Sequence, residues 1–244
     1  MENSKNVFMV KNFFNYEKII PPPINLPNNL ITVYVTDSIQ NSLEAKNLGW
    51  DYTFVSDEGK NIIDKFKRRI FVAKVNCQPH LYLPKELINI DKIFVCDSNI
   101  ISLWEEYSKF VLNSSNEKVL YLTSGYYQGE IDTIINEMNA SINSKRWQYN
   151  KDQMKNHTAE YVKNMELKNI DISKVSVVSA KYIGWNIKHP EYHNISKIAF
   201  KEHHNHLQGN IIFTYFSAIY KEYVDNYYTN NYGGGSLNKH NYEA

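Results

Sequence analysis

The run KIFVCDSN, residues 92–99, constrains the fold more than any other stretch of the chain. Ile93, Phe94, Val95 and Cys96 follow one another without apolar–polar alternation. Such a run reads as a strand buried on both faces, which is how strands read when helices cover both sides of a parallel sheet. The run stops at Asp97-Ser98-Asn99. Ligands of open α/β sheets bind outside the carboxyl ends of the strands, so this strand delivers a carboxylate and an amide to the productive edge. Two readings of that tip stand side by side. Asp97 and Asn99 can give oxygen ligands to Mg²⁺ or Mn²⁺, hard ions that also take diphosphate oxygens. Equally, Asp, Ser and Asn are the residues favoured where a strand ends and a helix is capped.

Other segments fit the same plan. Residues 7–10 (VFMV) and 30–36 (LITVYVT) read as strands, as do 69–75 (RIFVAKV), 118–122 (KVLYL) and 174–179 (KVSVVS). Helical spacing is found at 57–68, where Ile62, Ile63 and Phe66 oppose charges, and over 100–111, 130–142, 150–165 and 208–225. Between the first two strands, NYEKIIPPPINLPNN carries four prolines, which forbid helix and imply an extended connection. Strands alternating with helices predict an α/β sandwich around a largely parallel sheet. The polar tail 226–244 reads as a flexible terminus, or as a linker toward a further domain of a longer chain.

Composition narrows the function classes. With 244 residues, 43% hydrophobic and 22% charged, the chain has material for one substantial domain. Nine glycines leave no glycine-rich phosphate loop, and a net charge of +1 gives no bulk attraction to nucleic acid or anionic lipid. No apolar run approaches the ~18 residues of a membrane span. Cys77 and Cys96 sit in or beside apolar segments without metal-ligand spacing, so they read as reduced core thiols of a cytoplasmic protein.

Further candidates each carry a plain alternative. Thr36-Asp37 ends LITVYV and can bond a base or ribose, or simply cap the segment after it. Arg68, Arg69, Lys74 and His80 form a cationic group near the strand that feeds Asp97, and can neutralise a diphosphate or merely border a helix. Six of the eight histidines fall between 157 and 206, three of them in EHHNHLQGN. By letters this suggests a metal-dependent HNH nuclease; by its Lys- and Asn-rich flanks it reads as a solvated face.

Taken in order, the pieces resemble the GT-A-type glycosyltransferase-like family of plant, bacterial and viral proteins. NYEKIIPPP stands where that family has a Tyr-Asp-x-Leu-x-x-Pro-like segment, YVTDS where it has Phe-Thr-Asp, and Gly49-Trp50 where it has Gly-Trp or Trp. KVNCQPHLYLP followed by IFVCDSN matches its Pro-His-x-Tyr-Leu-Pro block and the Ile-Trp-Ile-Asp-Gly-Asn after it. IKHPEYHN, FKEHHNH and QGNIIF occupy the places of Arg-x-His-Asn, Trp-x-Glu and Arg-Asp-Gln-x-x-Phe, which puts His189, Glu202 and Asn210 among the pocket residues. Lys74 lies two residues farther from Pro79 than the pattern has it, and Gly209 replaces the Asp of Arg-Asp-Gln.

The resemblance implies a GT-A-like three-layer sandwich over residues 1–225, with a nucleotide-sugar half at 1–125 and an acceptor half at 126–225. It implies transfer of a sugar from a UDP- or GDP-type donor to a glycan hydroxyl. Mn²⁺ or Mg²⁺ would be held by Asp97, Asn99 and His189. Thr36 and Asp37 would meet the nucleoside, and Arg69, Lys74, His80 and Asn210 would line the donor site. Glu202 is the first candidate for the base, with Glu130 and Asp152 behind it. Tyr126, Tyr127 and Trp185 are either sugar-stacking rings or core. Two other classes remain: a nucleotide- or glycan-binding protein that has lost transfer, and the nuclease.

Overall fold

The computed structural model describes residues 5–14, 18–24, 26–87, 89–98, 116–124, 134–143, 151–206 and 208–228. The strands are β1 (Lys5–Asn12), β2 (Leu30–Thr36), β3 (Tyr52–Val55), β4 (Ile90–Asp97), β5 (Leu120–Ser124), β6 (Val178–Asn186) and β7 (Val224–Tyr228). The helices are α1 (Ile39–Asn47), α2 (Lys65–Cys77), α3 (Ile134–Asn143), α4 (Lys151–Leu167), α5 (Tyr192–Asn205) and α6 (Gly209–Ile219). The strands form one sheet in the order β3-β2-β1-β4-β6-β5-β7. All pairs are parallel except the two made by β6, so β6 alone runs against the rest.

The apolar runs dictate this layering. Val7 and Met9 of β1 face one side of the sheet with Val33, Val35, Ile93 and Val95, and are covered by Phe71 and Val75 of α2. Phe8 and Val10 face the other side with Tyr34, Phe94 and Cys96, and are covered by Ala45 of α1 and by Ile19, Ile20 and Leu26 of the proline-rich connection. Both faces of the central strands are dry, so the molecule is the expected three-layer α/β sandwich. Each such side chain taken from water stabilises the fold by about 1.5–3 kcal/mol. Cys77 and Cys96 are buried free thiols, in accord with their sequence context. No helix among the described residues is long and apolar enough to cross a membrane.

Four local expectations are corrected. Residues 57–64 form turns, and the helix expected there starts at Lys65, where the Asp64 side chain accepts the Lys67 amide at 2.8 Å. It then runs through RIFVAKV, which reads as a strand because its helix is apolar on two flanks. Phe71 and Val75 face the sheet, while Phe66 and Ile70 pack on Met154 of α4. The strand expected at 174–179 begins at Val178 and continues to Asn186. The helix expected at 208–225 ends at Ile219, and the chain returns as β7 beside β5, so residues 226–228 belong to the sheet, not to a tail. The helix at 100–111 lies outside the described residues. α5 escapes the periodicity because Ser196 and His203 take part in its buried stripe of Tyr192, Ile195 and Ala199.

The antiparallel strand β6 is irregular. Against β5 its register jumps from Leu122↔Ile183 to Thr123↔Ser179, so the residues between bulge out of that ladder. The amide of Ala180 donates instead to Asn210 Oδ1 at 2.9 Å. Gly184, at the closed end of the bulge, lies against the Phe94 ring. A Cβ there would sit 2.7 Å from Phe94 Cε1 and 3.0 Å from Tyr121 Cβ. Gly184→Ala is expected to destabilise the protein by roughly 1–3 kcal/mol through overpacking, measured as a lower denaturant midpoint.

The end of α5 makes stability depend on pH. His203 is buried, with Nδ1–H aimed at Ala199 O at 2.9 Å and the Cys77 thiol 3.7 Å away. His206 is buried as well; its Nδ1 accepts the Gln208 amide, which leaves Nε2–H to donate to Thr158 Oγ1 at 3.3 Å. Burial lowers His203 to about 4, and burial, then the neighbouring His203, lowers His206 to about 3. The unfolded chain binds these protons near pH 6.5 and the folded chain does not. Their contribution is therefore complete above about pH 6.5 and falls away as the pH drops toward 4. The slope approaches about 1.4 kcal/mol per pH unit for each histidine. Urea melts between pH 6.5 and 5, above the usual carboxylate range, are expected to show that loss; a flat profile there would contradict it.

Candidate functional site

The sheet reverses its winding at β1. The chain moves outward from β1 to β2 and β3, then returns to lay β4 on the other side of β1. A crevice outside the carboxyl ends of β1 and β4 is the place where doubly wound sheets take their ligands. The residues that the strands bring there are Lys11 and Asn12, Thr36 and Asp37, and Asp97 and Ser98.

Lys11 and Asp97 are register partners across the β1–β4 pair, both on the α2 face. The Lys11 ammonium donates to Asp97 Oδ1 in a short ion pair. The lysine side chain is only 3% exposed, whereas that of Asp97 is 41% exposed. The cation is thus buried beneath its partner, and the carboxylate faces the crevice. Ser98, beside it, is fully buried, and its hydroxyl has no hydrogen-bond partner among the described residues.

On the opposite face Asn12 and Thr36 are register partners and both are buried. Asn12 Nδ2 donates to Tyr34 Oη at 2.8 Å, and Thr36 Oγ1 accepts the Ser38 amide at 3.2 Å. Ser38 caps α1, its hydroxyl accepting the Asn41 amide. Both carboxylate oxygens of Asp37 accept the amide of Phe14 at 3.1 Å. Phe14 has φ of 64°, a left-handed conformation that a bulky residue adopts at a cost of order 1–3 kcal/mol. The Arg68 guanidinium covers its ring at 4.8 Å. Strained backbone held by a carboxylate and a cation marks the rim of the crevice at β1.

The expected site residues separate under this geometry. Asp97, Thr36 and Asp37 come together at one edge. Asn99, Glu130, Tyr126 and Tyr127 lie outside the described residues. Arg68, the neighbour of Arg69, stands at the crevice rim over Phe14, its Nε donating to Ile62 O at 2.7 Å. Lys74 is engaged by Glu58 at 2.8 Å, and Tyr82 also donates to that carboxylate. His80 packs on Tyr192 and His193, which come after the end of β6 at the amino edge of the sheet. His189 stands at that same edge. Asn186, three residues before it, pairs with Lys92, and Asp97 lies five residues farther along β4, about 16 Å away. The His189 Nδ1 already accepts the Glu191 amide at 3.1 Å.

Glu202 accepts a hydrogen bond from Tyr161 of α4 at 2.8 Å, and Tyr161 stacks on Tyr215 with ring centroids 4.3 Å apart. It ties helices together. Asn210 ties α6 to the bulge of β6: its Oδ1 takes the Ala180 amide, and its Nδ2 donates to the buried carboxylate of Glu137, which Gln208 also reaches at 2.7 Å. Trp185 is core, with its indole N–H on Asn76 O at 2.7 Å. The histidines of EHHNH end one helix and begin the next segment, with His203 and His206 buried inside; no ββα hairpin surrounds them among the described residues. A largely apolar groove of about 290 Å³, lined by Ile62, Phe66, Ile70, Phe71 and His204, borders α2 and contains none of the crevice residues.

The described residues do not by themselves complete a site for the expected dication. A hard ion needs several oxygen ligands. Among the described residues Asp97 is the one expected ligand at the tip, Asn99 lying outside them, and one Asp97 oxygen is bonded to a buried ammonium. Lys11 and Asn12 were not singled out in the sequence. The available signal was that β1, like β4, is an apolar run ending in polar residues, VFMV before Lys11-Asn12.

No family model and no curated protein sequence matches the chain. Among solved structures it is similar to the glycosyltransferase GlyE of Streptococcus pneumoniae TIGR4, at 11% identity and a TM-score of 0.39, covering 92% of this chain and 45% of that one. The chain thus spans less than half the length of GlyE. It is also similar to CMP:2-keto-3-deoxy-manno-octonic acid synthetase complexed with CTP, at 7% identity and a TM-score of 0.43, covering 93% of this chain and 90% of that one.

Proposed function

We propose that the chain is a glycosyltransferase that takes a sugar from a nucleoside-diphosphate donor and passes it to a hydroxyl of a glycan. The observation that carries this reading is the placement of Asp97 over Lys11 at the switch point of a mostly parallel sheet, the position where such sheets bind nucleotides. The ordered sequence pieces that resemble GT-A-type transferases, above all PHLYLP and the IFVCDSN after it, give the reaction class.

In this reading the half-exposed Asp97 carboxylate accepts a hydroxyl of the donor, ribose or sugar. Lys11 holds that carboxylate in place and cancels its charge, so the diphosphate does not meet a bare anion. Asn12 and Thr36 line the opposite face. Arg68, over the Phe14 ring at the rim, is assigned to the phosphates in this reading. Acceptor activation is assigned to no residue here, because Glu202, the first candidate, is engaged by Tyr161 in the helical layer.

That engagement favours a second reading, a protein that binds nucleotide or glycan without transfer. Gly209 in place of the family's Asp points the same way. One pair of experiments separates the two. UDP or GDP is expected to raise the melting temperature, because a ligand bound only by the folded state stabilises it, by about 2.7 kcal/mol at a hundredfold excess over Kd. Incubation of nucleotide-sugars with a panel of glycans is then expected to release nucleoside diphosphate. A thermal shift without release would establish the binding protein. The absence of a shift with any nucleoside diphosphate would end the transferase reading, and the absence of a shift with the glycans as well would end both.

A further inference from the structure

We infer that ligand binding at the Asp97 crevice is independent of divalent metal, because the buried Lys11 ammonium occupies the electrostatic place that a dication would take. The inference rests on the nucleotide-sugar reading for its ligand, and on geometry alone for the ion pair. Lys11 cannot swing away without loss. Its side chain is 3% exposed, and β1, where it stands, is the strand about which the sheet reverses. Its only hydrogen-bond acceptor among the described residues is Asp97 Oδ1.

A divalent ion bound by Asp97 would lie some 2.0–2.6 Å from a carboxylate oxygen. The ammonium is already in hydrogen-bond contact with that carboxylate. The two cations would share one carboxylate within a few ångströms, and the ammonium, on its buried side, has little water to screen it. A second carboxylate would be required to hold both, and no group of three or more His, Cys, Asp or Glu side chains suited to a metal is found among the described residues. The lysine therefore does two things. It fixes Asp97 as an acceptor for ligand hydroxyls, and it makes the crevice neutral enough for a phosphate to approach unaided.

The same pair explains why Asp97 is not expected to behave as an independent ligand. Lys11→Met keeps an unbranched buried side chain one atom shorter and removes the charge, so it releases the carboxylate. That variant is expected to bind Mn²⁺ more tightly at Asp97 than the wild-type protein does, the rest of the ion's shell being water.

The test uses the full chain. Calorimetric titrations with UDP and with GDP, in excess EDTA and in excess Mn²⁺, are expected to give dissociation constants within about threefold of each other. In parallel, Mn²⁺ alone is titrated and followed by electron paramagnetic resonance. Wild type and Asp97→Ala are expected to take up the ion equally weakly, and Lys11→Met to bind it at least about tenfold more tightly. Circular dichroism checks that each variant is folded; if either is not, the wild-type titrations alone decide. Nucleotide binding that weakens by more than about tenfold in EDTA overturns the inference, as does wild-type Mn²⁺ uptake that Asp97→Ala abolishes. If neither nucleotide binds in either buffer, the donor reading falls, and the Mn²⁺ titrations still settle whether Lys11 excludes the ion.

Discussion

The parallel pairing of β1 with β4, in the register that sets Lys11 beside Asp97, is the constraint on which the site depends. The pairing buries β1 on both faces, and burial of the strand from Asn6 onward carries the lysine near its end out of solvent. A buried ammonium is tolerable only with a partner, and the neighbouring strand supplies one at its last residue. Such a pair is weak evidence for stability, since desolvation offsets much of the attraction, but removing one member leaves an uncompensated charge. The arrangement is therefore better understood as a device of position. It orients a carboxylate at the crevice and holds two strand ends in register.

The second half of the sheet is joined to the first by a strand that cannot be regular. β6 runs against its neighbours, and it must pass Phe94 and Tyr121 with room for no side chain at Gly184. Beyond that point it bulges away from β5. The amide freed by the bulge is satisfied by Asn210 at the start of α6, and the Asn210 amide group is in turn held by Glu137 of α3. A buried carboxylate receiving two side-chain amides is a costly group to place in a core. Here it locks the bulge, α3 and α6 together just where β6 approaches the level of Asp97.

Parts of this architecture are legible in the sequence, and particular residues show why other parts are not. The apolar runs 30–36 and 92–96 are legible as buried strands because nothing polar interrupts them, and they announce the layered class. RIFVAKV is misread for the same reason: a helix apolar on two flanks shows no helical period, and only the Asp64 cap upstream betrays it. The tip at Asp97 is legible as a place of chemistry. Its partner is not, because register across β1 and β4 is a tertiary fact that no local pattern contains. His189 and His80 carry the right chemistry for a metal or phosphate site, yet His80 stands before the start of β4, and β6 takes His189 to the same amino edge because it is antiparallel; the periodicity of VVSAKYIGW cannot reveal strand direction. Lys11 and Asn12 repeat the β4 pattern of an apolar run ending in polar residues, and that parallel was there to be drawn.

The strain at Phe14 is likewise a matter of position. A bulky residue in the left-handed region is retained only where surrounding contacts over-determine it. Asp37 grips its amide with both oxygens, Arg68 covers its ring, and Phe13 and Phe71 pack around it. The chain after β1 is thereby held in a turn at Phe14. Asp37 and Arg68, which the charge pattern alone would offer as ligand-binding groups, thus first shape the rim, and what they offer a ligand is the capacity left over from that task. Asp97 differs from them in one respect: its partner among the described residues, Lys11, is buried while the Asp97 side chain itself stays half-exposed. That asymmetry, more than the number of polar residues nearby, makes it the residue about which the chemistry of the crevice is to be sought.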